Sequence, residues 1–294
     1  MAGENKFKKW LAVLIFLLPG LAGLVLFNLY PILVSAYLSL TDWDLLTKPH
    51  FIGFANYADV FHEEKSRIAI GNTFKFIIGY VPLVLVSSLA LAILLNRKIR
   101  FQAFYRAAVF VPVITSWVAV SIIWRWILNG QSGLLNYLLS QIGIQGPIWL
   151  SDFFWAMPSI IMVSVWKDVG FFAIIFLAGL QEIAGEYYEA AQIDGATPLQ
   201  QQLKISLPMI TPSIFFVVVI AMINSFQLFD QVLVMTNGGP AGATSSIVEQ
   251  IFKNAFKSGR MGFAAAQSWV LFGFIFVVTL LQYQLQKRWV NYDR

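Results

Sequence analysis

Hydrophobic and polar positions fall in long blocks along this chain, not at strand or amphipathic-helix spacing. From Leu11 to Leu40 thirty consecutive residues carry no charge, more than the roughly 20 needed to cross a bilayer. That first helix must therefore tilt, kink or project beyond the membrane, and Pro19-Gly20 and Pro31 are its kink sites. Further apolar blocks predict spans over 72–95, 107–128, 155–180, 212–235 and 264–285, six in all. Lys6, Lys8 and Lys9 before the first block give it the look of a signal peptide. Its apolar run is too long for an h-region, so an uncleaved span is expected.

Hydrophobic residues make up 58% of the chain and charged ones only 12%, which excludes a soluble domain of this size and predicts an all-α polytopic membrane protein. Cysteine is absent, so disulfides and thiolate metal sites are excluded. The net charge of +5 bears on topology; no basic face with interleaved aromatics points to nucleic acid. With the N-terminus inside, Lys6, Lys8, Lys9, Arg97, Lys98, Arg100, Arg106, Lys204, Lys287, Arg288 and Arg294 lie on the cytoplasmic side. The outer side holds only Lys48, Lys65, Arg67, Lys253, Lys257 and Arg260, and the outer loop from Asn129 to Phe154 has no basic residue. The positive-inside bias thus places both termini (1–10 and 291–294) and the loop near 186–208 in the cytoplasm, flanking a membrane domain over 11–290.

That loop, EYYEAAQIDGATPLQQQLKISLP, is polar between two apolar spans. Glu186 to Asp194 is rich in helix formers, Gly195 breaks the helix, and Thr197-Pro198 opens a second one with Thr197 as N-cap. Pro208 is expected to stop that helix before the next span. The reading is a short helix–turn–helix able to seat in a partner's groove. Glu189-Ala190-Ala191, then Asp194-Gly195, then Ile205 and Leu207-Pro208, resemble in spacing the EAA loop of binding-protein-dependent ABC importer permeases.

Other segments resemble the carbohydrate-type permeases of the maltose and glycerol-phosphate import systems. These are Tyr30-Pro31, Thr41-Asp42-Trp43, and Phe51-Ile52-Gly53-Phe54 with Asn56-Tyr57. Arg106, Pro112, Trp124, Trp126, Gly133 and Asn136 fit the family's third span; Thr236-Asn237-Gly238-Gly239-Pro240 its fifth-span outer turn; and Gly262 with Ala264-Ala265-Ala266 the start of its sixth. The similarity runs from about residue 11 to 290, without the extra spans and large outer domain of the enterobacterial maltose subunit.

The resemblance implies one of two permease subunits of a type I ABC importer in a bacterial-type inner membrane, taking a sugar or oligosaccharide. It implies a second, similar permease, two ATPase subunits seated on Glu189-type loops, and an extracytoplasmic solute-binding protein as partners, with lipid around the spans. No G-x-x-x-x-G-K-[ST] segment occurs, so ATP and magnesium belong to the ATPase subunits and the chain itself binds no cofactor.

Polar residues within spans are costly and mark solute paths. Asn224, Gln227 and Gln231 recur at i, i+3, i+7, with Ser225, Phe226, Leu228 and Phe229 beside them. On one continuous helix the three amides share a face. Amides bind sugar hydroxyls and aromatic rings pack on a pyranose, a mixture suited to a neutral polyol; the alternative is interhelical glue. Lys167 and Asp168 point about 100° apart on a helix, so one is expected to snorkel outward and the other to pair across the bundle, Lys167 with Asp230. A structural or gating pair is read ahead of a proton relay, which needs more titratable groups than the spans hold. Arg125 between Trp124 and Trp126 reads as an interfacial anchor. His50 and His62 lie on an outer loop, read as solvated and not as a metal site. No histidine lies within reach for a triad, so no catalysis is expected. Two rival classes remain: a secondary transporter, which needs an inverted repeat that is not visible here, and a membrane enzyme, which needs a catalytic cluster at the bilayer face. Within the importer class the runner-up solute is glycerol phosphate or another polyol.

Overall fold

The computed structural model describes residues 6–97 and 100–290; Lys98, Arg294 and the remainder of the expected terminal segments lie outside the described residues. In chain order the helices are α1 (Lys6–Leu24), α2 (Tyr30–Ser39), α3 (Ala55–His62), α4 (Glu64–Asn96), α5 (Gln102–Ile114), α6 (Trp117–Ile127), α7 (Leu134–Gln141) and α8 (Ala156–Gln181). They continue with α9 (Gly185–Ile193), α10 (Pro198–Gln201), α11 (Leu207–Met209), α12 (Thr211–Phe226), α13 (Asp230–Met235), α14 (Ile247–Phe252) and α15 (Met261–Trp289). Two short strands, β1 (Thr41–Asp42) and β2 (His50–Phe51), pair antiparallel with Thr41 opposite Phe51. The protein is helical, as the composition predicts.

Four helices are long and apolar enough to span a membrane unaided: Val13–Ser39, Glu64–Asn96, Ala156–Gln181 and Met261–Lys287. The other two expected spans are less regular. Across 107–128, α5 and α6 meet at 97°, and 212–235 begins with α12, which meets the preceding Pro198–Met209 segment at 69°, so the count reaches six only if each bent pair is one span. The first break follows from Pro112, which lacks an N–H, and from Thr115 and Ser116, both extended at ψ 139° and 138°.

Pro208, expected to stop its helix, is passed within it, and the helix continues through Pro31, an expected kink site, in the same way. Tyr30 N–H bonds Val25 O immediately before Pro31, and Leu207 N–H bonds Gln202 O immediately before Pro208. Each is a π turn. A proline ring crowds the carbonyl four residues back, and a turn widened to i→i−5 relieves that crowding without ending the helix. Accordingly the helix passes Pro208 and ends at Met209, with Ile210 turning the chain.

The chain divides into two compact units. In one, made of the chain up to His62 with 251–270, the end of the first span is tied by side chains. Asn56 Nδ2 donates to Ser39 O (2.9 Å) and Thr41 O (2.8 Å), and the Ser39 and Tyr57 hydroxyls lie 2.8 Å apart. Carbonyls at a helix end need such donors. Gly262 N–H bonds Trp43 O (3.1 Å), and a Cβ at Gly262 would collide with Thr41 O. The Thr41, Trp43, Asn56, Tyr57 and Gly262 positions of the sequence pattern therefore build one structural corner.

The other unit, Glu63–Gln250 with the chain from Leu271 onward, is centred on α4 and α8. Phe76, Tyr80 and Val84 of α4, Ile160, Phe172 and Phe176 of α8, and Val217 and Ala221 of α12 are buried together. In lipid, helices associate through close packing, so small residues set the crossings. A Cβ at Gly170 of α8 would run into Val109 O of α5, and one at Gly179 would lie 2.5 Å from Ser213 Oγ. On the expected outer side, Asn72 Nδ2 donates to Gly242 O (2.7 Å) and Ser245 O (3.2 Å), fixing the loop that follows Thr236–Pro240.

Candidate functional site

Two features stand out, a helical hairpin at 185–209 and a polar cavity among the spans. In the hairpin, Glu186 lies in the first turn of α9, where an acid favours the positive helix end. The helix closes with a Schellman motif: Gly195 N–H bonds Gln192 O (3.0 Å) and Ala196 N–H bonds Ala191 O (2.8 Å), with Gly195 at φ +81°. That φ is left-handed and suits glycine alone among common residues, with asparagine next. Two residues on, Thr197 starts α10 with a reciprocal capping box. Gln200 N–H reaches Thr197 Oγ1 (3.3 Å) and Thr197 N–H reaches Gln200 Oε1 (2.8 Å), with Pro198 at the first helical position. The Tyr188 and Ser206 hydroxyls, 2.8 Å apart, tie the two arms.

The hairpin's side chains divide by direction. Glu189, Ala190, Asp194, Gly195 and Pro208 are exposed, while Ala191 and Ile205 are half-buried. Leu207 packs against the protein's own core. Apolar side chains also face outward here: Ile193 is 87% and Leu199 68% exposed. Exposed apolar side chains grouped in this way mark a contact surface.

The cavity, about 220 Å³, is lined by Phe76, Tyr80, Trp117, Ser164, Asp168, Asn224, Gln227, Asp230 and Gln231. The fifth span breaks at its edge: α12 ends at Phe226, Gln227–Phe229 is non-helical, and α13 starts at Asp230. Non-helical backbone at membrane depth occurs where protein or a cavity surrounds it. The three expected amides therefore meet at one place, but across a break and not along one helix face. Ser225 and Leu228 do not join them. Ser225 is fully buried with Oγ donating to Ala221 O (2.6 Å), and Leu228 sits in the core.

The amides of Asn224, Gln227 and Gln231 and the carboxyl of Asp230 make no side-chain hydrogen bond among the described residues. Gln231 is only 7% exposed, so its polar atoms depend on whatever occupies the cavity.

The charged pair of α8 is arranged otherwise than expected. Lys167 does not reach Asp230. Its Nζ donates to Val113 O (3.1 Å), a last-turn carbonyl freed by the break after α5, and lies 4.7 Å from the centre of the Trp117 ring. Asp168 Oδ2 accepts from Tyr80 OH at 2.6 Å. The outward-pointing Arg125 donates from Nη1 to Val234 O (3.3 Å) at the end of α13, consistent with a cation at a helix C-terminus. Sequence reasoning missed Tyr80, Phe76, Trp117 and Ser164 as cavity residues. Tyr80 had a signal, since a tyrosine amid an apolar span needs a hydroxyl partner. Among the described residues no three His, Asp or Glu side chains cluster as a metal site.

Comparison with known proteins adds four findings. Residues 67–291 match the family described as binding-protein-dependent transport system inner membrane component. The chain is 36% identical, over 95% of its length and 91% of the relative's, to the protein named Probable ABC transporter permease protein YesP of Bacillus subtilis. It is 35% identical, over 92% of both chains, to the lactose transport system permease protein LacF of Rhizobium radiobacter. A crystal structure of a bacterial ABC transporter that imports the acidic polysaccharide alginate superposes with a TM-score of 0.86, covering 98% of this chain and 99% of that one. At 24% identity this last likeness concerns the fold.

Proposed function

The chain belongs to the family of inner membrane components of binding-protein-dependent transport systems, and on that premise we propose that it is one permease subunit of an ATP-driven importer for an uncharged sugar or oligosaccharide. The observation that carries the solute class is the cavity with three unbonded side-chain amides, Asn224, Gln227 and Gln231, beside Tyr80 and Trp117. The name of LacF, a lactose system permease, supports it. Amides serve as both donors and acceptors for hydroxyls, and aromatic faces suit the apolar side of a sugar ring.

A second permease supplies the other wall of the path, and the cavity's volume of about 220 Å³ lies below the roughly 300–1,000 Å³ usual for a complete ligand pocket. ATP hydrolysis takes place on two separate ATPase subunits, one of which seats on the hairpin through Glu189, Ala190, Ala191, Asp194, Gly195 and the exposed Ile193. An extracytoplasmic binding protein delivers solute, as the related alginate structure with its pentasaccharide-bound periplasmic protein suggests for this fold. Phosphorylated polyols fit less well, because Lys167 is turned onto Val113 and Trp117.

Uptake by the reconstituted importer tests this reading. Gln227→Ala removes one neutral hydrogen bond, worth about 0.5–1.5 kcal/mol, so uptake of its neutral sugar drops by about 2- to 10-fold while melting temperature and assembly stay unchanged. Lower assembly with unaltered sugar preference makes Gln227 a contact to the second permease instead. Orientation has its own test on this cysteine-free background. A cysteine in the Asn129–Phe154 loop reacts with an impermeant thiol reagent from outside, and one at Gln200 does not; the reverse pattern removes the ATPase-facing role of the hairpin.

A further inference from the structure

The alginate importer shares this fold and is involved in the import of an acidic polysaccharide, so the arrangement of helices by itself does not exclude a charged cargo, and the lining side chains must be read for it. Among the described residues, that lining holds two carboxyl groups, Asp168 and Asp230, and no cationic side chain. The nearest base on α8, Lys167, is engaged by Val113 O and Trp117. The two acids are not equivalent. Asp168 is held by the Tyr80 hydroxyl, while Asp230, half-buried where the chain re-enters helix after the break, has no side-chain partner among the described residues. Beside it Gln231, buried and unbonded, faces the same space. A free carboxylate flanked by free amides needs hydroxyl donors, and two vicinal sugar hydroxyls supply them to its two oxygens.

Resting on the reading of the cavity as the solute path, we propose that Asp230 is the specificity-determining residue of this permease: it binds hydroxyls of an uncharged saccharide and, with Asp168, rejects saccharides bearing carboxylate or phosphate. A hydrogen bond to a charged acceptor contributes more than a neutral one, so its loss costs roughly 10- to 100-fold in uptake. A carboxylate on the solute placed a few ångströms from Asp230, in a poorly screened site, is disfavoured on the order of 100-fold.

The experiment uses the complete importer with its binding protein in ATP-loaded proteoliposomes, and a panel of radiolabelled lactose, maltose, cellobiose and digalacturonate. The expected result is uptake of at least one neutral disaccharide by the wild type. That uptake falls at least 10-fold in Asp230→Asn with unchanged melting temperature, and at least a third of it is retained in Asp230→Glu. By equilibrium dialysis against the purified complex, digalacturonate fails to bind the wild type and binds Asp230→Lys. Neutral uptake within twofold of wild type in Asp230→Asn, or digalacturonate bound by the wild type as well as the neutral sugar, overturns the assignment. An Asp230→Glu variant as inactive as Asp230→Asn assigns the loss to the start of α13 and overturns it too. A wild type that moves none of the neutral sugars removes the sugar reading itself, an outcome distinct from a failure confined to the Asp230 variants.

Discussion

Valine at position 195 is expected to abolish ATP-driven uptake while leaving expression and membrane insertion near normal. Gly195 sits at φ +81° with no atom within 4 Å of where a Cβ would be, so there is room for a side chain and the whole penalty is backbone strain. A left-handed conformation costs an L-residue about 1–2 kcal/mol, and a β-branched one more. Elsewhere in a packed protein that strain would be absorbed. Here the hairpin consists of a nine-residue helix and a second helical arm over Pro198–Met209, mostly exposed, and isolated helices this short are marginal. The strain therefore opens the Schellman closure and displaces Thr197 from its cap. Asparagine tolerates the left-handed region, so Gly195→Asn retains most uptake and co-purifies the ATPase, and Gly195→Val does neither. Uptake by the valine variant equal to wild type would sink the hairpin's coupling role.

The second large effect is on assembly. Any side chain at Gly170 meets the carbonyl oxygen of Val109, a backbone atom that cannot rotate away. Overpacking typically costs 1–3 kcal/mol, and with backbone opposite the substituted position Gly170→Val reaches the upper end, about 3 kcal/mol. The expected outcome is a clear loss of melting temperature and of purified complex. Gly71→Ala is the control, because nothing lies within 4 Å of a Cβ there and alanine is the better helix former. Wild-type melting for Gly170→Val would mean that α5 and α8 do not cross at this spacing. The crossing also supports the cavity, since Lys167, one turn before Gly170, holds the freed carbonyl of Val113.

What was legible in the sequence was local. The hairpin was readable because its signals lie within a few residues of one another: glycine where the chain turns left-handed, threonine and proline where helix resumes. The breaks were harder. Thr115-Ser116 after Pro112 carried a signal that block-wise hydropathy smooths over. The break at Gln227–Phe229 has no glycine or proline, so periodicity ran straight through it; the three amides line one cavity, while Ser225 and Leu228 are buried away from it. Tyr80, Trp117 and Asp168 come from three other helices, and their meeting at one cavity depends on packing that sequence spacing does not encode. Lys167 shows the same limit from the other side. Its partner is a carbonyl, created by a helix break, and main-chain acceptors leave no mark in a sequence.

The π turns ahead of Pro31 and Pro208 have a bearing on angular phase. Each accommodates one residue more than an α turn, and one residue corresponds to about 100° around the axis. A helical wheel drawn through either turn thus rotates everything beyond it by more than a quarter circle. Ile205 and Leu207 lie on opposite sides of such a junction, Ile205 within the π turn and Leu207 after it. The same applies to Phe27 and Leu33 on the first span. Outward-facing and core-facing positions on the first span and on the hairpin's second arm must be counted separately on each side of the junction, as if each helix were two wheels sharing one axle.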